Sequence, residues 1–465
     1  MKVIGAFQSA ARRATSRAIV LSTALALSAC GLGHAGEAEV SPSASESPRV
    51  VLTGSTEPVA GGRDTNRLLA LADPGDEEDV DHQIRAYQAR AEKLGRVDDW
   101  TLLGRAWVRK ARDTANPGFY LNAGAAAEVL LAKFPDNVLG LGLRAQVAVQ
   151  RHDFKTGLST SEVVLGIAPE DLVALAYASD ASLELGRYAD AVEYANKMVG
   201  LTPNLPSYSR ASYLSWLHGD EDKAIDAARR AIQSGNDPSD PEPQCYAYVQ
   251  AANIFFHKGD FEGADAGYSA ALKPCVDYPA ALAGRGRVAV AMGDPKRGAD
   301  LLALAYQGGH SLLAAVDLYW ARLEAGDVDG AAAIREEIVA RGERDDPRTF
   351  ARFLADDEKD LDKAVELARA EMQVRPNLYT ADVLAWALFK RGDVVEAARA
   401  GADVLGLKTP DATLEYHAGR IAIATGERER GRKLLERALA RSGGHFDERG
   451  ARDAKRVLES LEKTE

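Results

Sequence analysis

The residues able to do chemistry are few and scattered. The soft ligands are three cysteines, Cys30, Cys245 and Cys275. Eight histidines, His34, His82, His152, His218, His257, His310, His417 and His445, complete the set. None of them shows the His-x-x-x-His or His-Glu spacing that brings two ligands onto one metal ion, so neither a metal nor a cofactor is expected. The sequence has no G-x-S-x-G elbow, no phosphate-cradling G-x-x-x-x-G-K-[ST] and no G-x-G-x-x-G after a strand, so it offers no catalytic residues and reads as a non-enzyme. Gly284 and Gly286 superficially suggest a phosphate loop, but they lie inside an apolar helical run, where small residues let helices approach.

What positions these residues is a repeat. Pro135, Pro169 and Pro203 stand 34 residues apart. The last interval holds an apolar helical run, then Leu185-Gly186-Arg187-Tyr188, then a second helical run. A fixed period of this length with two helices per unit marks a helical repeat array. At Gly186, Ala191 and Pro203 the unit resembles the tetratricopeptide repeat (TPR) family. The W-x-x-L-G-x-x-W run from Trp100 to Trp107 resembles that family's first-helix pattern. The resemblance implies an all-α, right-handed superhelical solenoid of about ten TPR-like helical hairpins. Turn glycines recur at Gly219, Gly259, Gly293, Gly326, Gly392 and Gly426, nearly all followed by aspartate, so the glycine should end one helix and the acid start the next. His152 in the second unit and Lys359 in the eighth stand where the glycine is expected.

In TPR proteins, first-helix side chains line the concave face and bind other proteins. Counting back from each turn, the resemblance places Tyr213, Trp216, Tyr246, Asn253, Arg287, Trp320, Trp386 and Arg420 on that face. The third unit has the plainest lining, Val173, Ala176, Asp180 and Leu183. Aromatic and arginine residues dominate binding hot spots, and large aromatics also fill the seams between repeats. Cys245 lies near the start of the fifth unit's first helix and Cys275 just past the end of its second. In a hairpin turning at Gly259, helical rise brings them to similar heights, which allows a disulfide; two separate buried thiols are the other reading.

The chain begins with a basic segment (Lys2, Arg12, Arg13, Arg17) and a short apolar core, Ala18 to Leu27, as in a secretory signal. Leu27-Ser28-Ala29-Cys30 resembles the bacterial lipobox, which implies cleavage before Cys30 and attachment of a diacylglycerol, with palmitate among the acyl groups expected. Gly31 in place of aspartate points to the outer membrane of a two-membrane bacterium. Residues 1–29 thus read as a signal peptide, 30–75 as a Ser/Pro/Gly-rich tether, 76–447 as the solenoid and 448–465 as a C-terminal capping helix. Removing the signal's four positive charges takes the net charge from −12 to −16, which argues against binding nucleic acid or an anionic membrane surface. The reading is a lipid-anchored extracytoplasmic scaffold that binds an unknown protein or peptide in its concave groove, in envelope assembly or secretion. It touches the membrane only through the lipid. The alternative is a small-molecule or glycan carrier using the same groove.

Overall fold

The computed structural model describes residues 63–75, 79–114, 116–235, 237, 240–441 and 448–463. The signal segment, Cys30 and the tether up to residue 62 lie outside the described residues. Among the described residues there are 23 helices and no strand. Two helices come first, α1 (Arg63–Ala70) and α2 (Asp79–Leu94). The opening hairpins are α3 (Val97–Asp113) with α4 (Phe119–Lys133), α5 (Val138–Gln150) with α6 (Phe154–Ile167), and α7 (Leu172–Glu184) with α8 (Tyr188–Leu201). Next come α9 (Leu205–Leu217) with α10 (Glu221–Ser234), α11 (Glu242–His257) with α12 (Phe261–Ala271), and α13 (Pro279–Ala291) with α14 (Pro295–Gly309). Four more follow: α15 (Leu312–Glu324) with α16 (Val328–Asp345), α17 (Pro347–Asp357) with α18 (Leu361–Val374), α19 (Leu378–Arg391) with α20 (Val394–Ala400), and α21 (Ala412–Ala424) with α22 (Arg428–Arg441). The last helix is α23 (Glu448–Glu462). The chain is an all-α solenoid in which consecutive helices pack in pairs.

The turn chemistry follows from residue type. Each turn glycine sits at positive φ. In four units the aspartate after it caps the next helix: Asp220, Asp260, Asp294 and Asp327 accept the backbone N–H three residues on at 2.9–3.2 Å. His152 itself adopts φ 61° in the second unit. In the eighth, the left-handed residues are Glu358 and Asp360, on either side of Lys359. Five residues past the glycine, Ala191, Ala224, Ala264, Ala331 and Ala397 are completely or almost completely buried, since only a small side chain fits where the two helices of a hairpin cross.

The N-terminal boundary needs a correction. Part of the stretch read as tether is ordered against the array: Arg63–Ala70 is helical and packed. The Trp107 indole donates to the Ala70 carbonyl at 3.0 Å, Asn122 donates to that of Leu69 at 2.8 Å, and Ala70 is buried. Leu69 and Leu71 cover the open flank of the first hairpin, which an array must hide.

The array also returns upon itself. Leu378, Val404 and Leu414, from the ninth and tenth units, share one core with Leu183 and Leu217 of the third and fourth. Asn377 donates to Glu184, the Leu378 amide to Tyr188 Oη, and Thr409 to the Leu217 carbonyl, each at 2.7 Å. The ninth unit is the irregular one. Its second helix, α20, is short, and residues 401–407 after it form turns that carry Val404 into this seam. The solenoid therefore completes one winding, and its late units lie on its early ones.

Candidate functional site: a concave cavity

First helices face inward in such an array, and the closed winding turns their shared groove into a cavity of about 390 Å³. Six of the residues expected on the concave face line it: Tyr213, Trp216, Tyr246, Asn253, Arg287 and Trp320. On one wall Trp216 packs between Tyr213 (ring centroids 5.9 Å apart) and His257 (4.9 Å). Burial pushes the His257 imidazole below its usual range; Asp411 opposes this and Arg287 adds to it. The ring is therefore neutral at neutral pH.

The polar centre of the cavity is Asn253. Its Oδ1 accepts from Tyr268 Oη at 2.6 Å and from Arg287 at 3.3 Å. Arg287 also lies 5.6 Å from the centroid of the Phe256 ring and 4.0 Å from Asp317. The guanidinium is thus held by a side-chain carbonyl, a ring face and a carboxylate. At the far end Asp356 accepts from the Trp386 indole at 2.8 Å. Burial would raise the Asp356 carboxyl, but Arg352, Arg449, His417 and the Trp386 bond outweigh it and hold it below the usual carboxylate range.

Three buried donors on the lining have no hydrogen-bond partner among the described residues: Trp216 Nε1, Gln250 Nε2 and Trp320 Nε1. A buried donor without an acceptor costs about 1–3 kcal/mol.

Two expected groove residues do not line this cavity. Trp386 is 2% exposed, stacked between His417 (4.0 Å) and Phe389 (5.2 Å), and fills the seam between the ninth and tenth units. Arg420 lies over Phe389 and is paired with Asp453 of α23, outside the cavity lining. In the third unit Asp180 is buried against Arg210, in a bidentate pair at 2.9 and 2.7 Å.

Conversely, Arg348, Arg352 and Asp356 reach the cavity although counting from the turn glycines does not point to them. Their four-residue spacing on α17 was the available signal, hidden because the eighth unit lacks its turn glycine. Arg449 reaches it from α23, the helix read as a cap. Cys245 and Cys275 are disulfide-bonded, with Cα atoms 6.3 Å apart, which ties the start of α11 to the segment after α12. Among the described residues no group of three or more His, Cys, Asp and Glu is placed to hold a metal, and no helix is long and apolar enough to cross a membrane.

No protein-family model matches the sequence, and no curated protein matches it. Solved helical-repeat structures are similar in fold. A TPR protein from Parabacteroides merdae is 18% identical, with a TM-score of 0.39 over 54% of this chain and 94% of its own. The human IFIT1 dimer with PPP-AAAA is 13% identical, with a TM-score of 0.45 over 81% of this chain and 93% of its own. A thermophilic TPR protein of Thermus thermophilus is 19% identical, with a TM-score of 0.34 over 41% of this chain and 98% of its own.

Proposed function

We propose that this chain is a non-enzymatic, lipid-anchored extracytoplasmic scaffold whose cavity holds a peptide segment of a protein partner in the bacterial envelope. The observation that carries the binding part is the cavity wall. It combines aromatic faces (Tyr213, Trp216, Tyr246) with a fixed guanidinium (Arg287). A peptide supplies the complement to both: apolar side chains and carboxylates. Panning a random peptide library against the full chain is expected to enrich binders that lose about tenfold or more in affinity, about 1.4 kcal/mol, with Trp216→Ala or Arg287→Ala. If no binder depends on these residues, the reading fails.

The anchor and compartment rest on Leu27-Ser28-Ala29-Cys30 and the basic segment before it. The disulfide supports them, since such bonds persist in oxidising compartments. Metabolic labelling with a palmitate analogue is expected to mark the chain and to miss Cys30→Ala; equal labelling of both would remove the anchor from the reading.

One observation favours a second reading, a carrier for a small molecule or glycan. The cavity's volume falls within the range of about 300–1,000 Å³ typical of small-ligand pockets. A rise in melting temperature with an oligosaccharide panel, abolished by Trp216→Ala and without any peptide binder, would favour it.

A further inference from the structure

The C-terminal helix does more than hide an end. Covalently it follows the tenth unit, yet its first turns reach the seventh and eighth. Arg449 places its guanidinium 3.0 Å from the centroid of the Trp320 ring and donates to the Asp356 carbonyl oxygen at 3.4 Å. Arg452 forms a two-pronged pair with Glu324. Further along, Asp453 accepts from Tyr416 Oη at 3.0 Å and pairs with Arg420. Trp320, Glu324, Asp356, Tyr416 and Arg420 all belong to first helices, and Trp320 and Arg420 are positions that a repeat array turns toward its ligand. The helix packs on α22 and α21 and extends its arginines across the concave face, and Arg449 enters the cavity itself.

We propose that the concave face of the seventh to tenth units is a docking surface for an arginine-bearing amphipathic helix of a protein partner, and that α23 is its occupant in the isolated chain. The inference rests on the protein-binding reading above and specifies the partner's chemistry. The chemistry of the contacts defines the occupant. An indole face and a main-chain carbonyl suit a planar guanidinium, which stacks and donates at once, better than a compact ammonium. Glu324 supplies a second socket, a carboxylate, for the residue three positions along the occupant, one helical turn on. The rest of the occupant's buried face is apolar and small: Ala451 and Ala454 are buried, with Val457 and Leu458 partly buried beside them. A partner helix with arginines three apart, and small or aliphatic residues on the adjoining stripe, matches this pattern. Because α23 is tethered, it competes at an effective concentration in the millimolar range and holds the surface until a stronger helix arrives.

The test uses the full chain and a fluorescent peptide of residues 448–463. Ala454→Asp buries a charge under α23 and is expected to unseat it, seen as faster hydrogen exchange along α23 with the other helices still protected. The unseated chain should bind the peptide about tenfold or more tightly than the unmodified chain does, and adding Trp320→Ala should abolish the gain. A peptide with alanine at positions 449 and 452 should bind neither. Equal peptide binding by the two chains, or binding indifferent to the two arginines, overturns the proposal. If library binders still depend on Trp216 and Arg287 in that case, the protein-binding reading survives. If no library binder exists but the α23 peptide binds, the docking surface stands and the cavity reading falls.

Discussion

Asn377 donates a 2.7 Å hydrogen bond to the buried carboxyl of Glu184, across 193 residues of chain. A side chain at the head of α19 is thus satisfied by one at the tail of α7. Asn377 also caps α19 by accepting from the Thr380 amide at 3.0 Å. Asn377→Ser keeps a capping side chain but withdraws the long donor. We expect a loss of about 1–3 kcal/mol in urea unfolding, with hydrogen exchange quickening in α7 and α19 together. Exchange that quickened in α19 alone would contradict the seam.

The same carboxyl sets a pH dependence. Burial pushes Glu184 above the usual carboxylate range, although Arg348, Arg375 and Asn377 oppose the shift. The folded chain therefore binds this proton more tightly than the unfolded chain. Its contribution to stability is complete below the unfolded value of about 4.3 and is lost as pH rises through the raised folded value. Glu184→Gln is fixed in the neutral form and still accepts from Asn377. Melting curves at pH 4 and pH 7 should show the variant gaining on the parent as pH rises.

Two glycines at equivalent turns separate backbone strain from the seam. Gly186 and Gly326 both adopt left-handed φ, 72° and 79°. A Cβ on Gly326 meets nothing within 4 Å, whereas one on Gly186 would stand 2.6 Å from the Pro376 carbonyl oxygen. Alanine at either position should cost about 1–2 kcal/mol for the left-handed conformation. Gly186→Ala should cost more, because it also pushes the two windings apart. Equal urea midpoints for the two variants would contradict this.

Asp180 and Arg210 form a fully buried pair. Burial raises the Asp180 carboxyl despite its partner, so taking the charges out of water outweighs their attraction. Arg210→Met strands the carboxylate and should destabilise by about 3–5 kcal/mol, while the double variant Asp180→Leu/Arg210→Met should recover most of the loss. A double-mutant cycle by chemical denaturation measures both.

The disulfide closes a sequence separation of 30 residues around the fifth hairpin. In the chain-entropy account, reduction costs about 3–4 kcal/mol. The loss should concentrate in α11 and α12, where hydrogen exchange would show it. Peptide binding should weaken with it, because Tyr246, Gln250 and Asn253 all stand on α11.

What could be read from the sequence was what repeats locally. The turn glycines, the aspartate caps and the alanines at helix crossings each have a reason within a few residues, so counting found the units. The same counting brought six residues to one cavity. It took Trp386 for a groove residue and left Arg420 on a face that is covered, because it assumes every unit presents its first helix to an open groove. In the last units the groove is taken by α23 and the seam by His417 and Phe389. Nothing near Glu184 announces Asn377, since the pairing exists only once the winding has come round. The Leu68–Leu71 segment was lost in a polar stretch because its partners, Trp107 and Asn122, lie beyond the next helix.

The seam between the third and fourth units and the ninth and tenth has a consequence for length. An open solenoid can gain or lose a unit and remain a solenoid, because each repeat answers only to its neighbours. Here Glu184 must meet Asn377, and Leu217 must meet Thr409. Inserting or deleting one hairpin between them would carry every such pair out of register by a whole unit. Repeat number has become a fixed dimension of the molecule, set by the circumference of the chamber it encloses.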